Sequence, residues 1–167
     1  LTGERTPYWD PDLRATFLGL AFGHGRDHLA RAVLEGVALS IRGCRDAIEA
    51  TGIDVAEPYL AGGGIIGSEL WRSILVSALG VRGQLADPQG PAVGAAMLAT
   101  LADGAGSDAV EDGLPLPHIE PVEPDPEWVS TYDALAETYR LAVEATTAVS
   151  HRLARPPAET AASPAKP

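Results

Sequence analysis

The spacing of hydrophobic residues predicts a long amphipathic helix near the start of the chain. Apolar side chains recur there every three or four residues, with charged residues between them, which is the period of one helix face. We predict a helix over residues 27–51 that ends at Gly52, because glycine accepts the left-handed conformation common after a helix. The stripe expected to face the core consists of Leu29, Val33, Val37, Ile41, Cys44 and Ile48.

Short strands and helices alternate after this first helix. Residues 58–61 and 81–86 are short apolar segments bounded by Pro or Gly, as expected for buried strands. Ser68 is suited to cap a helix that ends at Leu79, and a further helix is predicted over residues 91–102. This alternation of helix and strand is typical of an α/β layered fold.

The sequence of residues 103–167 predicts a connection, a helix and a tail, in that order. Residues 103–126 are rich in Gly, Pro, Asp and Glu, which favours an exposed connection. Apolar residues at steps of four and three then predict a helix over residues 128–153 that packs against the domain. Residues 154–167 are rich in Pro and Ala and are predicted to be disordered, which leaves 1–153 as the folded part.

Composition and charge limit the kinds of molecule that this chain is expected to bind. The chain has 167 residues, 46% of them hydrophobic and 21% charged, which is enough for one globular domain. Its net charge of −11 disfavours binding to nucleic acid or to an anionic membrane surface. The chain contains no apolar run of the roughly 20 residues that span a bilayer. A single cysteine, Cys44, rules out an internal disulfide and fits a cytoplasmic protein.

The strongest local signal for a binding site is the run Gly62-Gly63-Gly64 after a predicted strand. Glycines remove every Cβ where the chain turns, so that a flat purine or a phosphate can approach the backbone. A tight turn that binds nothing explains the same residues, and this motif alone favours that interpretation. The run lacks both the spacing of a dinucleotide-binding loop and the Lys-Ser/Thr ending of a P-loop.

Other polar residues are assigned structural roles. Asp10 and Asp12 flank a proline in a segment rich in turns, where aspartates bond to their own backbone. His24 and His28 are four residues apart, but no further Cys or His completes a zinc site, so a capping or solvated role is favoured. Cys44 is expected to be an inert core thiol. No catalytic residue and no metal ligand is assigned to this chain.

Several segments, in order, resemble the FGGY carbohydrate kinases, and most closely the xylulokinase branch of that family. The similarity covers nearly the whole chain up to Leu153. The matching segments are residues 3–10, 15–20 with 28–35 (the second family signature), 62–64 with 68–72 (the adenosine motif), 90–96 and the last helix. Between Gly64 and Ser68 the chain has Ile65-Ile66-Gly67, a spacing that resembles the glycerol kinase form.

The resemblance implies a fold and an activity. It implies a partial ribonuclease H-like domain, related to actin and the heat-shock chaperone ATPases, which is the C-terminal, ATP-binding domain of a two-domain sugar kinase. Such an enzyme uses ATP and Mg²⁺ to phosphorylate a sugar hydroxyl, D-xylulose in the xylulokinase branch. By resemblance, Gly62, Gly63 and Gly64 would approach the adenosine with their backbone, and Ser68 would donate to it.

The same resemblance implies that this chain is incomplete as an enzyme. The catalytic Asp, the phosphate-binding hairpin and the first three strands of the sheet precede the matching region in the family. We therefore expect the chain alone to be inactive, with the sugar held mainly by the other domain. The alternative is a non-catalytic interaction domain, derived from a kinase, whose open sheet edge pairs with another chain or with a second copy in a homodimer.

Overall fold

A computed structural model of the protein describes residues 3–86, 90–103 and 119–155. It confirms the α/β class and the order of the predicted helices and strands. The elements are α1 (Arg26–Glu49), β1 (Tyr59–Leu60), α2 (Gly63–Ile66), α3 (Glu69–Leu79), β2 (Gly83–Ala86), α4 (Gly90–Ala102), β3 (Ile119–Val122) and α5 (Pro126–Ala154).

Capping residues define the boundaries of α3, as predicted, and the start of α5, which lies two residues before the predicted one. The Ser68 hydroxyl accepts a hydrogen bond of 3.2 Å from the Trp71 N–H, which satisfies one free donor at the start of α3. Gly80 ends the same helix with φ of +67°. At α5, the Asp125 carboxylate accepts bonds from the N–H groups of Glu127 and Trp128.

Within the described residues, the sheet has three strands in the order β1-β2-β3. Strands β1 and β2 are parallel, with Tyr59 opposite Gln84, and β3 is antiparallel to β2, with Val122 opposite Gly83. The prediction that residues 103–126 form a connection without strands is therefore wrong at β3. A four-residue strand that includes a proline gives a weak local signal, and it is formed by pairing with β2. Residues 104–118 of that predicted connection lie outside the described residues.

The core is centred on α3, whose residues Ile74, Val76 and Ala78 are fully buried. α1 packs against one part of this helix and α5 against another. Tyr132 of α5 is buried in the same cluster, as is Leu60 of β1. The second half of α3 is therefore surrounded by the other elements.

The face of α1 that lies against α3 is not the face predicted from the apolar spacing. Val33 is 52% exposed, Val37 47%, Ile41 37% and Ile48 44%, whereas Ala38 and Leu39 are buried. The neighbouring elements pack on the side of the helix beside the stripe, so these four residues stay exposed, while Leu29 and Cys44 of the predicted stripe are half-buried. Periodicity correctly identified the helix and its apolar positions but not their burial.

The last helix runs one residue further than predicted, to Ala154. This residue belonged to the predicted disordered tail, and residues 156–167 of that tail lie outside the described residues. The aromatic residues near the start of α5 pack on the core as predicted, while Val149 and Leu153 near its end are exposed. In the described parts of the chain, no helix is long and apolar enough to cross a membrane.

Candidate functional site

The glycine run lies immediately after β1, where the chain turns from the sheet into a single helical turn. Gly62 has φ of +112°, a conformation that glycine adopts without strain. Its carbonyl accepts hydrogen bonds of 3.1 Å from both the Ile65 and the Ile66 N–H groups. Gly63 and Gly64 form the first part of α2, a feature that the sequence did not predict.

The three glycines leave an open surface at this turn. A Cβ atom built on Gly62, Gly63 or Gly64 would meet no atom within 4 Å, and all three residues are exposed. Close packing inside the protein therefore does not explain why Gly63 and Gly64 lack side chains. An exposed backbone without Cβ atoms is the surface that a flat ligand can approach closely.

Ser68 follows this turn and caps α3, so its oxygen already accepts one hydrogen bond from the protein. A hydroxyl that accepts a bond keeps its own proton for a second partner. The side chain is half-buried, which holds it in place and leaves one side accessible. Ser68 can therefore act both as the helix cap and as a hydrogen-bond donor to a ligand.

Arg72 of α3 holds the end of the glycine turn in place, a role that the sequence did not predict. Its Nη1 donates to the carbonyls of Ile65 at 3.2 Å and Ile66 at 2.7 Å. These carbonyls end α2 and have no continuing helix to satisfy them. A charged donor therefore connects α3 to the turn and limits its movement. A basic residue one helical turn after the Ser68 cap is the only sequence signal for this contact.

The parallel pairing of β1 and β2 positions the glycine turn relative to α4. Because the carboxyl ends of parallel strands meet at one edge of a sheet, the glycine turn and the start of α4 at Gly90 follow the same edge. Ligands of α/β proteins commonly bind at such an edge. Close packing by residues 90–96 was the favoured prediction, but it is wrong at Gly94, Ala95 and Ala96, which are exposed.

The two neighbouring histidines have structural roles. The Nδ1 of His24 accepts a bond of 2.9 Å from the Ala21 N–H, and the Nδ1 of His28 accepts one of 3.2 Å from the Gly25 N–H. His28 thereby caps the start of α1, as the capping interpretation predicted. In the described parts of the chain, no group of three His, Cys, Asp or Glu side chains is arranged to hold a metal ion.

The carboxylates near the N-terminus also bond to the protein itself. Asp10 accepts a bond from the Asp12 N–H at 2.9 Å, which confirms the turn-forming role predicted for this pair. The Cys44 thiol contacts the carbonyls of Thr6 and Ser40, and burial, with a smaller contribution from Glu4, raises its pKa. A raised pKa disfavours the reactive thiolate and agrees with an inert thiol.

A shallow groove of about 270 Å³ separates the N-terminal loop from the first half of α1. It is formed by the segment that resembles the second family signature. The loop contributes three apolar side chains and His24, and α1 contributes the other lining residues, both apolar and polar. Its lining consists of Phe17, Leu18, Leu20, His24, His28, Leu29, Arg31, Ala32 and Glu35.

Comparison with known proteins identifies the family of this chain. Residues 1–102 match the model of the C-terminal domain of the FGGY family of carbohydrate kinases. The chain is 38% identical over 145 residues to the xylulose kinase of Escherichia coli (strain K12), a match that covers 84% of the chain and 29% of the relative. It is also 38% identical over 110 residues to a glycerol kinase of Albidiferax ferrireducens, covering 62% of the chain and 22% of that relative.

The fold is shared with solved structures of the same kind. The crystal structure of xylulose kinase from Rhodospirillum rubrum matches with a TM-score of 0.71 and 33% identity, covering 86% of this chain and 30% of that one. The chain thus spans less than a third of the length of these relatives. The ordered motifs, the family model and the shared fold agree, and the chain belongs to the FGGY family of carbohydrate kinases.

Proposed function

We propose that this chain is the C-terminal, ATP-binding portion of a carbohydrate kinase that transfers the γ-phosphate of ATP to a sugar hydroxyl. The observation that carries the proposal is the open glycine turn after β1, where Gly62, Gly63 and Gly64 expose their backbone to solvent. Membership of a carbohydrate kinase family supplies the reaction type.

Different residues of the turn would contact different parts of the nucleotide. The backbone of Gly63 and Gly64 would lie against the adenine or ribose, while the Ser68 hydroxyl would donate its proton to a nucleoside oxygen or nitrogen. Arg72 keeps the turn in position through its bonds to Ile65 and Ile66. Binding by a preformed turn costs less conformational entropy than binding by a loop that must first become ordered.

The proposed sugar is D-xylulose, which would yield xylulose 5-phosphate. Similarity to xylulose kinases over most of the chain supports this choice. Glycerol is the second candidate, because the spacing between Gly64 and Ser68 resembles the glycerol kinase form and a glycerol kinase is equally identical over a shorter span. Most of the contacts that select the sugar would come from the remainder of the enzyme.

Phosphoryl transfer depends on positioning and on stabilisation of charge. This chain would supply the nucleotide end of the site, and the base that orients the sugar hydroxyl would come from the other domain. Mg²⁺ would accompany the ATP phosphates, because it is usually held by phosphates with few protein ligands. We therefore propose that the purified chain binds ATP without phosphorylating a sugar. The whole enzyme is proposed to act in the cytoplasm.

The test is a calorimetric titration of ATP with Mg²⁺ into the purified chain and a Gly64→Val variant. A side chain at Gly64 would meet only open space, so the substitution should preserve the fold and obstruct the ligand. Gly36→Val is the matched control, because Gly36 lies on α1 and its Cβ would also meet nothing within 4 Å. We expect saturable binding to the chain and the control and at least a tenfold weaker affinity in Gly64→Val. Equal affinities in all three proteins would contradict the assignment of the turn.

The alternative from a different class is a non-catalytic interaction domain, and the uncovered apolar face of α1 favours it. On this alternative the chain has kept the fold of the kinase domain and lost the nucleotide. A thermal melt beside the titration separates the two functions. Cooperative unfolding without ATP binding would support the interaction domain, whereas cooperative unfolding with ATP binding supports the kinase portion.

A further inference from the structure

The groove between the N-terminal loop and the first half of α1 holds a cluster of polar side chains. The ring centres of His24 and His28 are 5.3 Å apart, and both rings line the groove together with Arg31. None of these residues belongs to the glycine turn, which follows β1 at residues 62–64. The groove is therefore a candidate for a binding site of its own.

The backbone determines which ring nitrogen of each histidine carries the proton. The Nδ1 atoms of His24 and His28 both accept hydrogen bonds from backbone N–H groups, so the proton of each neutral ring lies on Nε2. Among the described residues, neither Nε2–H group has a hydrogen-bond partner. A metal ion binds an unprotonated ring nitrogen, and binding one at Nε2 would require both backbone bonds to break. The two histidines therefore offer a ligand hydrogen-bond donors and do not favour a metal ion.

Arg31 adds a positive charge to the groove, and three contacts hold it in place. Its Nε donates to Glu35 Oε1 at 2.7 Å, one of its Nη atoms lies 3.4 Å from the Tyr132 hydroxyl, and the guanidinium lies 4.5 Å from the centre of the Trp128 ring. The Arg31 side chain is still 42% exposed, so part of the guanidinium can reach a ligand. Glu35 also lines the groove, but its Oε1 accepts from both Arg31 and Tyr132, and this pairing offsets its negative charge. The polar groups left for a ligand are therefore mainly donors.

The remaining lining of the groove is apolar. The loop contributes Phe17, Leu18 and Leu20, each about half exposed, and α1 contributes Leu29 and Ala32. Sites for small molecules combine such apolar walls with a few polar groups that fix the orientation of the ligand. The volume of about 270 Å³ lies just below the roughly 300–1,000 Å³ of sites for drug-sized molecules. The lining therefore suits a small ligand that has an apolar body and an end that accepts hydrogen bonds.

The segment that forms most of the groove is basic, although the chain as a whole is acidic. Residues 13–34 contain three arginines and one aspartate, which gives them a net charge of +2, whereas the chain carries −11. A local excess of positive charge attracts anions to this part of the surface. The nearby Glu35 carboxylate disfavours a doubly charged group more than a singly charged one. A carboxylate therefore fits this groove better than a phosphate.

We propose that this groove binds a small organic carboxylate with an apolar body, of the class of aryl- and alkyl-substituted carboxylic acids. The carboxylate oxygens would accept hydrogen bonds from the Nε2–H groups of His24 and His28 and from the Arg31 guanidinium. The apolar body would lie against Leu18 and Leu20 of the loop. This site goes beyond the proposed function, and it does not depend on whether the glycine turn binds ATP.

The test is a nuclear magnetic resonance titration of the full, isotope-labelled chain with phenylacetate, followed through the backbone amide signals. Phenethyl alcohol is the uncharged comparison, because it has the same ring and no carboxylate. We expect saturable shifts at Gly25 and Ala32 with a dissociation constant of about 1–10 mM, as is usual for so small a ligand. The alcohol should bind at least about fivefold more weakly, because it makes no charge-assisted hydrogen bonds. The titration contains no ATP, so its result is separate from that of the glycine turn.

Two pairs of variants locate the site. Ala32→Phe fills the groove from an exposed position of α1, and Ala47→Phe is its control at an exposed position of α1 outside the groove. Leu20→Glu places a like charge beside the ligand, and Leu141→Glu is its control on α5. Both groove variants should weaken phenylacetate binding by at least about fivefold, and both controls should leave it unchanged. Dispersed amide signals show that each variant is folded, and each pair is decisive by itself.

Three results would overturn the proposal. The first is equal affinity for phenylacetate and phenethyl alcohol, which would show that the donors of the groove do not recognise the carboxylate. The second is unchanged phenylacetate affinity in a folded Ala32→Phe or Leu20→Glu protein. The third is the absence of saturable shifts at the groove, including the case in which the shifts centre on the glycine turn.

Discussion

The imidazole Nε2 of His151 lies 2.6 Å from Oδ2 of Asp10, a contact that connects the end of α5 to the N-terminal loop. These residues are separated by 141 positions in the chain. The loop around Asp10 is also held by its own bonds, since the Asp10 carbonyl accepts the Glu4 N–H at 2.8 Å. The pair therefore joins two segments that are each ordered locally but are distant in sequence.

This contact predicts a specific dependence of stability on pH. The hydrogen bond to His151 is the main cause that lowers the pKa of Asp10 below its ordinary value of 3.8. A carboxyl group whose pKa is lower in the folded than in the unfolded chain stabilises the fold above its unfolded pKa. We expect this contribution to be fully present above about pH 4 and to be lost as the pH falls from 3.8 through the pKa of the folded protein.

The measurement is a series of urea melts between about pH 2 and pH 6 for the unsubstituted chain and Asp10→Asn. The variant should show a smaller loss of stability on the acid side, because it lacks this carboxyl group. Asp12→Asn is the control, since the Asp12 carboxylate is not the one bonded to His151. Identical acid slopes for the Asp10→Asn variant and the unsubstituted chain would contradict the assignment.

A second prediction concerns the contact between α1 and α5 at Tyr132. The Tyr132 hydroxyl, on a side chain that is 2% exposed, donates to Glu35 Oε1 at 3.0 Å. Burial is the main cause that raises the pKa of Tyr132, so the hydroxyl keeps its proton. The same Glu35 oxygen accepts from Arg31, whose guanidinium lies 4.5 Å from the centre of the Trp128 ring. Tyr132→Phe should lower the free energy of unfolding by about 1 kcal/mol.

The control for this variant is Tyr59→Phe, because Tyr59 is 65% exposed. We expect this control to change stability by less than about 0.5 kcal/mol. Urea melts at neutral pH measure both effects. A Tyr132→Phe protein as stable as the unsubstituted chain would show that the buried hydroxyl contributes nothing net.

A third prediction follows from the close packing at the start of β2. A Cβ atom on Gly83 would lie 2.8 Å from Leu60 Cδ1 and 2.9 Å from Val76 Cγ1, and both of these side chains are buried. Gly83→Ala should therefore destabilise the chain by roughly 1–3 kcal/mol through overpacking. Gly36→Ala is the opposite case, because a Cβ atom at this position of α1 would meet no other atom within 4 Å. Alanine in a helix loses less conformational entropy on folding than glycine, so this variant should be more stable than the unsubstituted chain by roughly 0.5–1 kcal/mol. Thermal melts that ranked the two variants in the reverse order would contradict both arguments.

A fourth prediction tests the positioning role of Arg72. Arg72→Ala removes the bonds to the carbonyls of Ile65 and Ile66 and should weaken ATP binding roughly tenfold, or about 1.4 kcal/mol. Arg82→Ala is the control, because Arg82 pairs with Glu123 at the surface near the other end of β2. Calorimetric titration measures the affinity, and circular dichroism confirms that both variants keep their helices. Unchanged affinity in Arg72→Ala would show that the turn needs no such support.

The sequence by itself determined the features that depend on neighbouring residues. The Ser68 cap and the Gly80 stop defined α3 correctly, because capping acts over one helical turn. The glycine run at residues 62–64 was predicted correctly as the turn after a strand, because glycine accepts the backbone conformations that turns require. The recognition of the family also came from local motifs in a fixed order. The assignment of ATP contacts to those glycines stays a prediction.

Only the tertiary structure decided which surfaces meet. β3 forms because its backbone groups pair with those of β2, and the sequence of residues 119–122 does not predict that pairing. The contact of His151 with Asp10 and the bonds from Arg72 to the glycine turn likewise join groups that no periodicity relates. The exposed residues Val33, Val37 and Ile41 of α1 show the same limit, because helical spacing identifies an apolar face but burial depends on the elements packed around it.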